Sequence, residues 1–142
     1  MNHRIDNLSR GMLCFLLMSL LLVGCKTKTS DRDIMYLEHD DLINMLENPR
    51  HATLIVDVRS REDFDASHIP GAVSLPLANI RAGQRLLSKA THLVVYAKDF
   101  SSPLSSAAAK KLVILGYQNV YDFRGGLRVW QDEAGAVVSS PN

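Results

Sequence analysis

Two short, unbroken apolar runs constrain the fold of this chain more than any other feature of its sequence. The first extends from Thr53 to Val58 and the second from His92 to Tyr96. Runs of this length that are rich in β-branched residues are typical of strands buried on both faces, as in a parallel sheet. The sequence therefore predicts neighbouring parallel strands that are covered on both sides.

Patterns typical of helices alternate with these strands. Pro103 to Leu115 has apolar residues at helical spacing, with Ser102 at the N-cap position and Gly116 just past the end. The alternation indicates an α/β domain with a mainly parallel central sheet flanked by helices on both faces, and ligand sites beyond the carboxyl ends of the strands. Further helices are predicted over Asp40 to Glu47, after Ser60, over Asn79 to Lys89 and over Leu127 to Glu133, and further strands over Ala72 to Leu75 and Val120 to Asp122.

The amino terminus has the features of a secretory signal. Arg4 and Arg10 precede an apolar run over residues 12–23, which is shorter than the about 20 apolar residues that a membrane span requires. The run ends in Leu22-Val23-Gly24-Cys25, which resembles the lipobox of bacterial lipoproteins. The resemblance implies that the segment before Cys25 is removed and that the Cys25 sulfur is lipidated, and several acyl chains together anchor a protein stably.

This interpretation divides the chain into a signal peptide at residues 1–24, a lipidated cysteine with a polar tether at 25–33, and one globular domain at 34–142. Eight tether residues span at most about 26 Å. Lys26 directly follows the cysteine. In the sorting rule of enterobacterial lipoproteins, an aspartate at this position implies retention at the inner membrane, so lysine favours the outer membrane. We therefore expect a periplasm-facing membrane lipoprotein, at the outer membrane if the host is Gram-negative.

The processed chain would carry neither a free thiol nor a charge excess. Of its two cysteines, Cys14 lies in the predicted signal and Cys25 is the predicted lipid carrier. The full sequence has 16 basic and 15 acidic residues, and 14 of each remain after residue 24. Balanced charge argues against nucleic acid as a partner, because phosphate binding needs a dense basic surface.

Two groups of short motifs stand in order along the domain. The first comprises Asp57-Val58-Arg59, Asp63-Phe64, His68-Ile69-Pro70-Gly71-Ala72 and Pro76, and the second comprises Gly116 to Tyr121, Gly125-Gly126 and Trp130. Together they resemble the rhodanese family across residues 34–135. The departures are mild: Asp63 replaces a common glutamate, and Ser67 replaces the usual glycine before the histidine. The resemblance implies a single rhodanese-like domain, on a scaffold that elsewhere performs sulfur transfer.

The resemblance also locates the catalytic position of the family. There a strand ends in Tyr-Cys, and the N–H groups of the following loop stabilise a thiolate or persulfide, whereas here the strand ends in Tyr96-Ala97. We therefore expect no catalytic residue, since Ala97 occupies the cysteine position. Asp57 and Arg59 are predicted to form a supporting ion pair at the neighbouring strand end. The candidate anion-binding loop consists of Ala97, Lys98, Asp99, Phe100, Ser101 and Ser102.

Other chemistry is not expected in the domain. Ser101, Ser102 and Ser105 have no identifiable base to activate them, and a hydroxyl cannot replace a sulfur in sulfur-to-sulfur transfer. His68 is predicted to pack and hydrogen-bond within its turn, because the remaining histidines of the domain show no ligand spacing with it. The sequence therefore predicts neither a cofactor nor a metal.

Three functions remain open at this point. The first is a non-catalytic module, tethered to the cell envelope, that binds a small oxyanion or an envelope protein. The second is a sulfurtransferase that acts on thiosulfate or a persulfide with a thiol supplied by a partner. The third is a structural envelope protein without a ligand. The membrane is a predicted partner in all three, through the lipid on Cys25.

Overall fold

The computed structural model describes residues 34–133 and 135–140. The predicted signal, lipobox and tether lie outside these residues. Among the residues described, no helix is both long and apolar enough to cross a bilayer. The strands are β1 (Met35–Tyr36), β2 (Thr53–Asp57), β3 (Val73–Ser74), β4 (His92–Tyr96) and β5 (Val120–Phe123), and the helices are α1 (His39–Glu47), α2 (Arg61–Ala66), α3 (Leu104–Ile114) and α4 (Gly126–Glu133).

The five strands form one sheet in the order β1-β5-β4-β2-β3, and every neighbouring pair is parallel. The register aligns Asp57 with Tyr96 and Tyr96 with Phe123, so the strands end at one common edge of the sheet. This arrangement confirms the predicted α/β architecture. The loops that follow the strands therefore meet at that edge, where ligand sites of such sheets are found.

Both faces of the sheet are covered by apolar clusters. Two of the buried residues of α3, Ala108 and Ala109, are small, so the middle of this helix can approach the strands closely. The opposite face is covered by α1 and α4, whose anchors are Leu42 and Trp130. The cluster under α3 includes Val56, Val58, Leu93, Val95 and Leu112, and the one under α1 and α4 includes Ile55, Ile69, Val94, Tyr96 and Phe123.

The helix predicted over Asn79 to Lys89 is wrong. A 3-10 turn covers Leu77–Asn79, and turns follow it as far as residue 89. Gly83 adopts a left-handed φ of 67°, and the Tyr117 hydroxyl accepts the Gln84 N–H at 3.0 Å. The Gln84 N–H therefore donates to a distant side chain instead of to a carbonyl within a helix.

Two smaller differences concern element ends. Pro103, with helical backbone angles, is the N-cap of α3, and Ser102 contributes only a long 3.4 Å contact from its Oγ to the Leu104 N–H. The two-residue strand β1 had no signal in the sequence. It forms because Met35 and Tyr36 pair with Tyr121 and Asp122 of β5.

Two histidine rings stack at the end of the sheet where β2 and β4 begin. The centroids of His51 and His92 lie 4.2 Å apart, and His92 also stacks on Tyr121 at 5.8 Å. Thr91 Oγ accepts the Ala52 N–H at 3.0 Å and lies 2.9 Å from His92 Nδ1, so its hydroxyl can donate to that nitrogen. Burial, and then the charge of His51, lowers the pKa of His92.

We expect the free energy of unfolding to fall as the pH decreases through 6.5, the ordinary pKa of histidine. Because the folded pKa of His92 lies below that value, the unfolded chain takes up a proton that the folded protein does not. His92→Phe keeps a ring in the stack but cannot titrate, so its stability should decrease less between about pH 7.5 and about pH 5.5. Urea unfolding at both pH values measures the effect, and an equal decrease in both proteins would refute it.

Candidate functional site

The carboxyl edge of the sheet gathers residues that the sequence singles out together with one that it does not. Asp57 ends β2 and Ala97 follows β4, as the sequence predicts, and Arg124 begins the turn after β5. The register of the parallel strands brings these three positions to neighbouring places along the edge. The candidate site is therefore built from strand ends and from the loops that continue them.

A buried ion pair lies at the end of β2. Asp57 is completely buried and Arg59 is 8% exposed. Arg59 Nε donates to Asp57 Oδ1 at 3.0 Å, Nη2 donates to Oδ2 at 2.6 Å, and the Arg59 backbone N–H also donates to Oδ1 at 3.0 Å. Burial opposes the charge of Arg59, but the hydrogen bonds and charge of Asp57 outweigh it and raise the pKa of the guanidinium. The predicted ion pair is confirmed.

The ion pair fastens a turn to the sheet. Arg59 Nη2 donates to the Ser67 carbonyl at 2.7 Å, and the hydroxyl of the buried Tyr96 accepts the Ile69 N–H at 3.2 Å. Burial, and then the charge and hydrogen bond of Asp57, raises the pKa of Tyr96, so the phenol stays protonated. The pair thus contacts the turn at Ser67 directly, and the Arg59 guanidinium lies 6.0 Å from the ring centroid of Tyr96, the residue before Ala97.

Helix α2 positions the other side of that turn. Ser60 caps it, since its Oγ accepts the Asp63 N–H at 3.1 Å and donates to Asp63 Oδ2 at 2.8 Å, as the sequence predicts. His68 Nδ1 lies 2.8 Å from the Phe64 carbonyl and therefore donates to it, and the two rings stack at 3.7 Å. The predicted packing role of His68 is confirmed. The carboxyl-terminal segment covers the turn through reciprocal backbone bonds between His68 and Val138.

The loop after β4 is held against the start of α4. The carbonyls of Ala97 and Lys98 accept the N–H groups of Leu127 and Arg128, each at 3.0 Å. Gly126 has a φ of 62°, and a Cβ there would lie 2.5 Å from the Ala97 carbonyl oxygen, so the close approach requires glycine. Ala97 itself is 1% exposed. The loop and the helix therefore form one unit at this edge.

An internal carboxylate organises the rest of the loop. Asp99 Oδ1 accepts the Ser101 backbone N–H at 2.9 Å and the Ser101 hydroxyl at 2.6 Å, while the Ser102 N–H donates to the Asp99 carbonyl at 3.1 Å. The Ser101 hydroxyl, followed by its N–H, lowers the pKa of Asp99. A small anion would have to compete with this carboxylate for the Ser101 donors.

The structure also reveals buried polar groups that the sequence reasoning missed. Ser106 Oγ donates to Oδ2 of the fully buried Asp122 at 2.5 Å. Asp122 Oδ1 and the Oγ of Ser105, which is 1% exposed, have no hydrogen-bond partner among the described residues. An aspartate inside an otherwise apolar strand was the available signal. These groups lie behind the loop, between the sheet and α3.

Comparison with protein families and curated proteins gives consistent matches. A model of the Rhodanese-like domain matches residues 38–133. The adenylyltransferase and sulfurtransferase UBA4 of Meyerozyma guilliermondii is 32% identical over 111 residues, which cover 68% of this chain and 25% of UBA4. The thiosulfate sulfurtransferase GlpE of Pseudomonas fluorescens is 31% identical over 101 residues, covering 66% of this chain and 91% of GlpE. The chain thus spans about a quarter of the UBA4-type relatives but most of GlpE.

Solved structures share the fold. The BH2092 protein of Bacillus halodurans superposes with a TM-score of 0.67 at 23% identity. The superposition covers 93% of this chain and 87% of that structure. The Alr3790 protein of Anabaena gives a TM-score of 0.59 at 26% identity, with 73% of this chain and 80% of that structure covered. Both comparisons support the parallel α/β architecture.

Arg59→Met is expected to destabilise the protein strongly, by about 3–5 kcal/mol, because it leaves the buried Asp57 carboxylate without its cation. Arg61→Met is the matched control, since Arg61 pairs with Asp65 on an exposed face of α2 and such pairs contribute little. Urea unfolding measures both. Equal stability of Arg59→Met and Arg61→Met would show that the buried ion pair does not hold the turn.

Proposed function

Because the chain belongs to the Rhodanese-like domain family, we propose that it is a member without sulfurtransferase activity of its own, which acts as a binding module at a bacterial membrane. Several of its relatives are named sulfurtransferases. The observation that carries the proposal is the buried methyl group of Ala97 at the end of β4. This is the position at which the resemblance places the family's cysteine.

Sulfur transfer within this domain lacks its nucleophile. The reactive species is a thiolate, and both cysteines of the sequence, Cys14 and Cys25, precede the domain. The nearby hydroxyl of Ser101 donates its hydrogen bond to Asp99, and oxygen cannot carry the transferred sulfur. The strand end at which the family carries its thiol is held in place, since the Ala97 carbonyl accepts the Leu127 N–H.

We assign the binding role to the outer side of the loop and to a protein partner in the envelope. Phe100 is 61% exposed, and the cations Lys98, after β4, and Arg124 and Arg128, after β5, are also exposed. An exposed aromatic side chain together with exposed cations is suited to an acidic protein segment with an apolar anchor. A small oxyanion is less favoured by the contacts, because Asp99 already occupies the Ser101 donors.

A second candidate is a sulfurtransferase that uses the thiol of a partner protein or of a small persulfide. The names of the relatives favour it, GlpE in particular, because this chain covers nearly all of that protein. In this alternative the loop would bind the sulfur donor, and the partner would supply the nucleophile. Incubation with thiosulfate and a candidate thiol partner, followed by mass spectrometry of the partner, would detect such transfer as a persulfide formed on the partner's thiol with release of sulfite.

The lipid anchor is the second part of the proposal. It is supported by the run of residues 12–23 and by Leu22-Val23-Gly24-Cys25, and it places the domain on a tether at a membrane surface. A module held in this way meets membrane-bound partners at a raised effective concentration, so a modest affinity suffices. In a Gram-negative host the outer membrane is the favoured location, because Lys26 follows the cysteine.

Purified full-length protein in detergent should not transfer sulfur from thiosulfate to cyanide above the solvent background, as measured by thiocyanate formation. Ala97→Cys should introduce measurable transfer, because it places a thiol at the position of the family's cysteine. Ala97→Ser changes the same site without adding sulfur and should remain inactive. Wild-type activity above the background would overturn the non-catalytic assignment.

Cys25→Ser should abolish lipid labelling in bacterial cells, since the side chain no longer offers a sulfur to the diacylglycerol. The precursor should accumulate at its full length, which a gel mobility shift and metabolic labelling with a fatty acid would show. Cys14→Ser is the matched control and should be processed normally. Unchanged labelling of Cys25→Ser would contradict the lipobox assignment.

A further inference from the structure

A histidine and two carboxylates meet where α1 begins and α4 ends. His39 Nδ1 lies 3.3 Å from Asp40 Oδ1 and 3.0 Å from Glu133 Oε2. One potential ligand atom from each of these residues falls within 4.8 Å of the other two. His39 and Asp40 open α1, and Glu133 closes α4, so the cluster joins two helices that are far apart in sequence.

The spacing of the donor atoms is that of ligands around zinc. Zinc binds histidine nitrogen and carboxylate oxygen at about 2.0–2.2 Å in a tetrahedron, which places neighbouring ligand atoms about 3.3–3.6 Å apart. The distances of 3.3 and 3.0 Å from His39 Nδ1 to its two oxygen neighbours are within a few tenths of an ångström of that range. Small side-chain adjustments of exposed carboxylates would complete the geometry.

The imidazole ring is held so that one nitrogen is presented. The His39 side chain is 13% exposed, and its ring meets the edge of Trp130 with centroids 5.8 Å apart. Its Nε2 is buried without a hydrogen-bond partner among the described residues, whereas Nδ1 faces the two carboxylates. Nδ1 is therefore the nitrogen that a metal ion would bind.

The carboxylates keep the cluster open to solvent. Asp40 is 94% exposed and Glu133 is 52% exposed, so a cation can enter from water and keep water as its remaining ligand. Two negative charges match a divalent ion, and the imidazole selects against Mg²⁺ and Ca²⁺, which prefer oxygen ligands. We propose that His39, Asp40 and Glu133 form a Zn²⁺ site that fastens α1 to α4.

Titration of the full-length protein in detergent with Zn²⁺ tests the site. The sequence contains one tryptophan, Trp130, and its contact with His39 makes its fluorescence a local reporter. A saturable change in Trp130 emission is expected, whereas Mg²⁺ should give none. Zinc that binds elsewhere in the protein is distinguished from zinc at the proposed site by the variants below.

Three variants remove one ligand each. His39→Phe keeps a ring against Trp130 and should abolish the zinc response. Asp40→Asn and Glu133→Gln should each weaken the zinc affinity by at least about tenfold, because mutation of a residue that only supports a metal ligand already causes a loss of that size. Asp41→Asn is the matched control, because Asp41 is an exposed acid in the same helical turn, and it should bind as the wild type does.

Two results would overturn the site. One is the absence of a saturable Trp130 response up to about 1 mM Zn²⁺, a concentration at which even weak specific binding is visible. The other is wild-type affinity in any of the three ligand variants. Circular dichroism of each variant without zinc shows whether the fold is intact, so that a lost response can be attributed to the lost ligand.

Discussion

The buried pair of Asp57 and Arg59 is the interaction on which the carboxyl edge of this domain depends. Removing both charges from water is costly, and the geometry offsets that cost only because each group is also hydrogen-bonded. Asp57 accepts hydrogen bonds from the guanidinium and the backbone N–H of Arg59. The same guanidinium also donates to the Ser67 carbonyl. The strand end, the following turn and the phenol of Tyr96 are thereby fixed relative to one another.

Much of the fold could be predicted from local patterns. The strand over His92–Tyr96 is as predicted, because it is a continuous apolar run that packs on both faces. The stretch from residue 79 to 89 could not be predicted in this way, since the bond from the Gln84 N–H to the Tyr117 hydroxyl depends on tertiary contacts. The same holds for β1, whose two residues form a strand only because β5 lies beside them.

The candidate site was predictable in its parts but not in its arrangement. The motif Asp57-Val58-Arg59 predicted the ion pair, and the predicted end of the strand located Ala97. The sequence did not predict that Asp99 accepts hydrogen bonds from Ser101 in its own loop, because these bonds depend on a turn that the sequence does not specify uniquely. The approach of His39 to Glu133 depends on how two helices pack, which spacing along the chain does not reveal.

The contact between the loop and α4 links two distant regions of the molecule. The first turn of α4 donates to the carbonyls of Ala97 and Lys98, and its last residue, Glu133, faces His39. A helix of eight residues is about 12 Å long. One short element therefore connects the loop after β4 to the start of α1, and both of its ends are tied to other parts of the domain.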